Sequence, residues 1–359
     1  MSGWRLRDIS GPLRRAIPVL IGVAAGGMLM GALVLWSGAV SVAASSGHWP
    51  MMNWLLHYAA RRSVATHSAG IDAPDLSDPR LLQVGARQYR AQCETCHGAP
   101  GASPSLLMQH MTPPAPLLVD FVEEWKAREL FWIIKHGIKY SAMPAWVTQA
   151  RDDDIWPVVA FIQQLPGMDE ARYLSLAVAA EPATSMLAKS LSTCASCHGE
   201  AGEGAAGMPR LAGQSAEYLK ASLDAYAEGQ RASGLMQPIA AGLTEDARQA
   251  MARQYAAAAP ATGDLPSVSK GQQLVSEGDA AKGIPPCMAC HGGVSELRNP
   301  RYPLLAGQPR DYLAQQLRLF RSGQRGGSSY APLMQTIAAR MSDAQIEQAA
   351  DFYGVRERE

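Results

Sequence analysis

All six cysteines of this 359-residue chain fall in one pattern. Cys93 and Cys96 precede His97, Cys194 and Cys197 precede His198, and Cys287 and Cys290 precede His291. In Cys-x-x-Cys-His the thiols stand at i and i+3 and the imidazole at i+4, so one helical turn brings all three to one face. Two thiols so placed can bond the two vinyl groups of a haem while the adjacent imidazole binds its iron from the proximal side. The spacing is that of a c-type haem attachment site, and three copies predict three covalently bound haem c groups. A single Cys-x-x-Cys also serves in zinc sites and redox dithiols. Zinc would need further ligands, but the other histidines are not placed once per motif. A thioredoxin-like dithiol would need a βαβ setting, which the sequence lacks. No cysteine is left over for a disulfide framework.

The opposite side of each iron decides between chemistry and electron transfer, since an open iron can react and a six-coordinate one mostly cannot. Each motif has a methionine well downstream: Met143, Met236 and Met334. Met143 sits in a polar run, Gly137-Ile138-Lys139-Tyr140-Ser141-Ala142-Met143-Pro144-Ala145-Trp146, where it has no obvious core role. Met236 and Met334 hold matching positions in a repeat, whereas Met208 matches Tyr302 and Met341 matches Leu243. Core packing is the usual role of methionine, and Met108 and Met111 are runners-up for the first motif. His/Met ligation raises the haem potential and suits electron transfer. Pro209 and Pro303, between each histidine and its methionine, offer carbonyls that could orient the imidazole. Pro113 or Pro114 is the counterpart for the first motif, and an ordinary loop proline is the competing reading.

Positioning these residues requires three units. The second and third repeat each other: Pro209-Arg210-Leu211-Ala212-Gly213-Gln214 matches Pro303-Leu304-Leu305-Ala306-Gly307-Gln308. Tyr218-Leu219 matches Tyr312-Leu313, and Leu235-Met236-Gln237 matches Leu333-Met334-Gln335. A period this large marks duplication of a whole domain rather than a solenoid. Helical periodicity dominates. Asp152 to Leu165 opens with acids and spaces Ile155, Val158, Val159 and Ile162 as a helix does. Ser342 and Gln345 form a capping box, and Thr244, Glu245 and Asp246 open the matching helix of the second unit. Ser68 to Asp78 reads as a linker. Further breaks fall near Glu181-Pro182 and over Ala256 to Ser267. The predicted fold class is all-α, with cytochrome-like haem domains at 81–168, 183–258 and 268–359, after an interfacial segment and linker at 48–80.

Residues 1–47 read as a cytoplasmic N-terminus and a transmembrane anchor. Arg5, Arg7, Arg14 and Arg15 flank an uncharged stretch from Ala16 through Ser46, and Ile17 to Val42 is long enough to span a bilayer. A cleaved signal peptide is the rival, with Ser41-Val42-Ala43 as its cleavage site, but signal cores usually run only about 7–15 apolar residues. The arginines stay on the cytoplasmic side and send the rest outward. Trp49, Trp54 and Tyr58 suit a lipid–water interface, or packing against the first unit. The 32 basic and 32 acidic residues cancel, which argues against nucleic acid as a partner. With 5 Phe and 7% aromatic residues, small domains would be marginal unless a bulky apolar group such as a porphyrin completes each core.

At these motifs the sequence resembles class I c-type cytochromes, marked by an early Cys-x-x-Cys-His and a late axial methionine. The second and third units look like tandem two-haem cytochromes of the c-four type, through Cys-Ala-Ser-Cys-His-Gly at 194–199, the Leu-Ala-Gly-Gln segments and the Leu-Met-Gln turns. The first unit is similar to single-haem domains with a Gly-Ile-Lys…Met-Pro-Ala-Trp loop, and it lacks Leu-Ala-Gly-Gln. The resemblance implies a non-enzymatic electron carrier of a respiratory chain. It would sit in a bacterial inner membrane with its haem domains in the periplasm. Its partners would be redox proteins: a quinol-oxidising complex, a periplasmic dehydrogenase or a terminal oxidase. A peroxidase or reductase with one open haem, and a structural tether of a respiratory complex, are the alternatives.

Overall fold

The structure, a computed structural model, describes residues 10–178, 186–204, 207–259, 271–292 and 299–355. It divides into two units, Met1–Leu56 and His57–Glu359. In the first, the helix Ser10–Ser37 includes Ala16–Ser37, which is long and apolar enough to cross a membrane and also fits a signal sequence. Trp49 and Trp54 are exposed, as is Tyr58 at the start of the second unit.

The second unit is helical, with one two-residue parallel pairing between Gln308–Pro309 and Gly354–Val355. Among the described residues its buried apolar side chains form three clusters. The first centres on the crossing of helix Pro79–Gln92 with helix Trp156–Ile162. Asp78 caps the earlier helix by accepting from the Arg80 N–H, and Pro79 fits the first turn because its missing N–H would be unpaired there anyway. Ala86 and Tyr89 then fall on one buried face, and Tyr89 packs against Phe161 at 5.2 Å and edge-on to Tyr173 at 6.5 Å. Gly85 lies at the crossing, where an added Cβ would stand 1.9 Å from the Pro157 carbonyl oxygen. Gly271 has the same role beside the cluster of Leu274, Ile346 and Tyr353, where an added Cβ would stand 2.0 Å from the Gln348 carbonyl oxygen. The obstacle at Gly85 is backbone, so Gly85→Ala is expected to cost about 1–3 kcal/mol, read as a lower denaturation midpoint.

The second cluster is thin. Among the described residues Leu219, Ala252 and Tyr255 are buried in it, with Leu191, Leu211 and Tyr218 partly buried against them.

The predicted helix at Asp152–Leu165 differs at its start. Asp152–Asp154 form a 3₁₀ turn, and the α-helix runs Trp156–Ile162. Pro157 donates no N–H and is tolerated only in a first turn, which fixes the helix start beyond the acids. The caps behave as read: Thr244 accepts from the Ala247 N–H, and Ser342 with Gln345 closes a capping box. The break at Glu181-Pro182 lies outside the described residues, as does most of the one running to Ser267.

Candidate functional site

Each Cys-x-x-Cys-His occupies a helical turn. His97 N–H bonds the Cys93 carbonyl at 2.9 Å, and His291 N–H bonds the Cys287 carbonyl at 3.0 Å. The middle motif closes the longer helix Met186–His198. A glycine follows each histidine with φ in the left-handed region: Gly98 at 69°, Gly199 at 85° and Gly292 at 68°. The helix therefore stops at the imidazole.

All three imidazoles share one arrangement. Nδ1 of His198 lies 2.8 Å from the Pro209 carbonyl oxygen, and Nδ1 of His291 lies 3.1 Å from that of Pro303. In the first motif the acceptor is Pro116, 2.9 Å from Nδ1 of His97, rather than Pro113 or Pro114. A carbonyl can only accept, so Nδ1 carries the hydrogen and Nε2 keeps a free lone pair for a metal. Burial lowers the proton affinity of all three rings and favours the neutral form.

None of the six cysteines is paired in a disulfide. Burial, with Cys96 adding to it, pushes Cys93 up to about 12. Burial likewise raises Cys194 and Cys287 to about 11, and raises Cys197. A reactive dithiol needs the opposite shift. Among the described residues no three His, Cys, Asp or Glu side chains gather as a metal site. Both observations weigh against the dithiol and zinc alternatives.

The second and third motifs open into one continuous cavity of about 730 Å³. Cys194, His198 and Met236 line it together with Cys287, Cys290, His291 and Met334. Met236 begins the helix Met236–Ala241, and Met334 lies in the helix Ala331–Arg340. Met143 is half-buried against the first cluster, with its loop pinned by Ile138 N–H to the Met143 carbonyl at 3.2 Å. It thus has a packing contact that the polar run did not suggest. Met108 lies beside Cys96, sulfur to sulfur at 3.6 Å.

Two buried guanidiniums face the same cavity. Arg231, 6% exposed, donates to the Tyr312 hydroxyl at 3.1 Å and to Gln316 Oε1 at 3.0 Å. Arg325, 8% exposed, donates to the Tyr218 hydroxyl at 3.1 Å. Neither pairs with a carboxylate among the described residues. Burial alone would raise the Tyr218 phenol, but Arg325 and Arg231 outweigh it and bring it down to about 8. A cavity with two uncompensated buried cations suits a ligand that carries carboxylates. Haem c, with an apolar macrocycle and two propionates, fits this lining, the paired thiols and the Nε2 lone pairs.

The walls are joined by a reciprocal exchange between the repeats. Gln214 donates to the Leu304 carbonyl at 2.8 Å and accepts from the Leu304 N–H at 3.0 Å. Gln308 donates to the Arg210 carbonyl at 2.9 Å and accepts from the Arg210 N–H at 3.0 Å. The Pro209–Arg210 peptide thus faces His198 with its oxygen and Gln308 with its N–H. The Pro303–Leu304 peptide does the same between His291 and Gln214. Truncation would leave buried backbone groups unpaired, so Gln308→Ala or Gln214→Ala is expected to cost about 1–3 kcal/mol each in denaturant titrations.

Sequence reading missed Arg231, Arg325 and the role of both glutamines. The repeat carried their signal, since all four fall at matching positions in the two copies.

Residues 186–259 match the cytochrome c family, and residues 80–162 match cytochrome c oxidase, cbb3-type, subunit III. The chain belongs to the class I c-type cytochromes: it is a multi-haem, covalently haem-bearing protein of the electron-transfer kind. Among its relatives is the thiosulfate dehydrogenase electron acceptor of Thiomonas intermedia (strain K12), 35% identical over 167 residues, or 45% of this chain and 76% of that protein. Cytochrome c4 of Thiocapsa roseopersicina is 33% identical over 170 residues, or 46% of this chain and 88% of that one. Among solved structures, the thiosulfate dehydrogenase (TsdBA) of Marichromatium purpuratum in its as-isolated form is 34% identical. That match takes in 46% of this chain and 36% of that one, with a TM-score of 0.42.

Proposed function

We propose that this chain is a membrane-anchored, three-haem electron relay. The observation that carries the reading is the single cavity lined by two Cys-x-x-Cys-His motifs and two downstream methionines. In this reading Cys93, Cys96, Cys194, Cys197, Cys287 and Cys290 hold the three macrocycles in domains at 81–168, 183–258 and 268–359. His97, His198 and His291 are the proximal ligands, and Met143, Met236 and Met334 the distal ones. When bound, haem c supplies a one-electron couple. The prolyl carbonyls of Pro116, Pro209 and Pro303 fix the imidazoles, and the sulfurs of Met143, Met236 and Met334 would complete the hold on each iron. With both sides of each iron so held, no substrate would bind at the metal, as a carrier requires.

The helix Ala16–Ser37 is the retained anchor, with the haem domains in the periplasm of a bacterial inner membrane. Tethering raises the effective concentration of the relay at membrane partners. The relatives named thiosulfate dehydrogenase electron acceptor support a periplasmic dehydrogenase as donor. The likeness of residues 80–162 to a cbb3-type oxidase subunit supports delivery to a terminal oxidase, and a quinol-oxidising complex is the other donor that fits the setting.

The test is a reductive titration of the detergent-solubilised chain. Three electrons taken up per chain and returned to a high-potential acceptor, without peroxide or nitrite consumption, support the relay. Fewer electrons, or turnover of either substrate, refute it.

A further inference from the structure

Gly234, two residues before Met236, is gripped on three sides by the first motif's unit. Its N–H donates to Asp154 Oδ2 at 2.9 Å, and its carbonyl accepts from Gln92 Nε2 at 3.0 Å. A Cβ at this position would stand 1.9 Å from Trp146 Nε1, so the indole edge presses directly on the glycine backbone. Adjacent contacts follow the same line. Arg151 Nη1 donates to the Ala232 carbonyl at 2.7 Å. Ser233 Oγ reaches Asp154 Oδ2 at 3.4 Å and accepts from the Met236 N–H at 3.1 Å. Arg151 holds Asp154 at 2.6 Å.

The gripping residues are tied to the first haem motif. Gln92 directly precedes Cys93. Trp146, 8% exposed, follows Met143 in its loop, and its backbone N–H is bonded to the Lys135 carbonyl at 3.0 Å. Asp154 leads into the helix that crosses Pro79–Gln92. Several contacts made by one unit thus converge on the loop that presents a methionine in another. Packing economy alone does not call for that convergence, because the residues are mostly polar and several lie at the start or end of loops.

We propose that the Trp146–Gly234 junction is the electron-exchange contact between the first and second haem sites, with Asp154 and Gln92 as positioning residues that hold the Met236 loop against it. The inference rests on the reading of Met143 and Met236 as iron ligands. In the step, one electron leaves ferrous iron at one site and enters ferric iron at the other. The first is oxidised, the second is reduced, and no proton or ligand changes place. Tunnelling weakens steeply with the gap, and a side chain packed directly on backbone leaves a short through-space step.

The experiment uses the full-length, haem-loaded chain in detergent. It is photoreduced, and exchange between sites, resolved by their potentials, is followed by transient absorption. Asp154→Ala and Gly234→Ala are each expected to slow exchange between the first and second sites by about tenfold, while exchange between the second and third stays within about twofold. Gln92→Ala, which removes a single hydrogen bond and leaves the crossing helices intact, should slow the same step to a lesser degree. Unchanged rates in Asp154→Ala and Gln92→Ala overturn the proposal, as does equal slowing of both steps. Failure of the ligand reading shows elsewhere: the methionine-to-ferric-iron charge-transfer band of the unsubstituted protein would lack the intensity of the first or second site.

Discussion

Replacing Cys194 and Cys197 together with alanine will remove one covalent haem per chain and unfold the second domain. Intact-mass measurement under denaturing conditions should show two attached macrocycles instead of three, and far-ultraviolet circular dichroism should show lost helix. The expectation follows from the thin apolar cluster there, Leu219, Ala252 and Tyr255. Without a macrocycle the cavity of about 730 Å³ would be a void or would fill with water against Arg231 and Arg325. The same double replacement at Cys93 and Cys96 should also remove one haem but spare more structure. The first cluster has its own aromatic packing, including Phe131 stacked on Trp156 at 4.2 Å.

Met236→Ala should convert one low-spin site to high-spin and let the reduced protein bind about one carbon monoxide per chain; the unsubstituted chain should bind none. Met334→Ala and Met143→Ala should do the same at their own sites, and Met108→Ala should not. Met251 provides the control. It is 2% exposed and lines the same cavity from the helix Glu245–Ala256, so it separates a lining methionine from a ligand. Met251→Ala should cost about 2–5 kcal/mol of stability yet admit no carbon monoxide. Binding by the unsubstituted protein would instead favour an enzyme with an open haem.

What could be read in the sequence was local or repeated. The attachment motif is legible because its geometry closes within one helical turn. Pro209 and Pro303 could be singled out because the repeat presents each between a histidine and its methionine. The counterpart of the first motif was misplaced by two or three residues, since Pro113, Pro114 and Pro116 crowd an irregular loop that has no second copy. The helix predicted from Asp152 slid forward because one proline outweighed three good first-turn acids. The glutamines were visible only as part of a repeated Leu-Ala-Gly-Gln, because each finds its partner in the other copy. Gly234 gave no signal at all: its meaning lies in Trp146, Asp154 and Gln92, which approach from the stretch around the first motif.

The crossed pairing of Gln214 and Gln308 has the form of an isologous contact, in which each partner offers the other the same patch. Two copies of an ancestral single-haem protein would meet in this way as a homodimer and would fall apart on dilution. Joining them in one polypeptide makes the encounter unimolecular, so the two irons keep their spacing however scarce the protein is. It also frees the copies to diverge, as Arg210 and Leu304 already have, and a symmetric pair of equal potentials can thereby become a directional one.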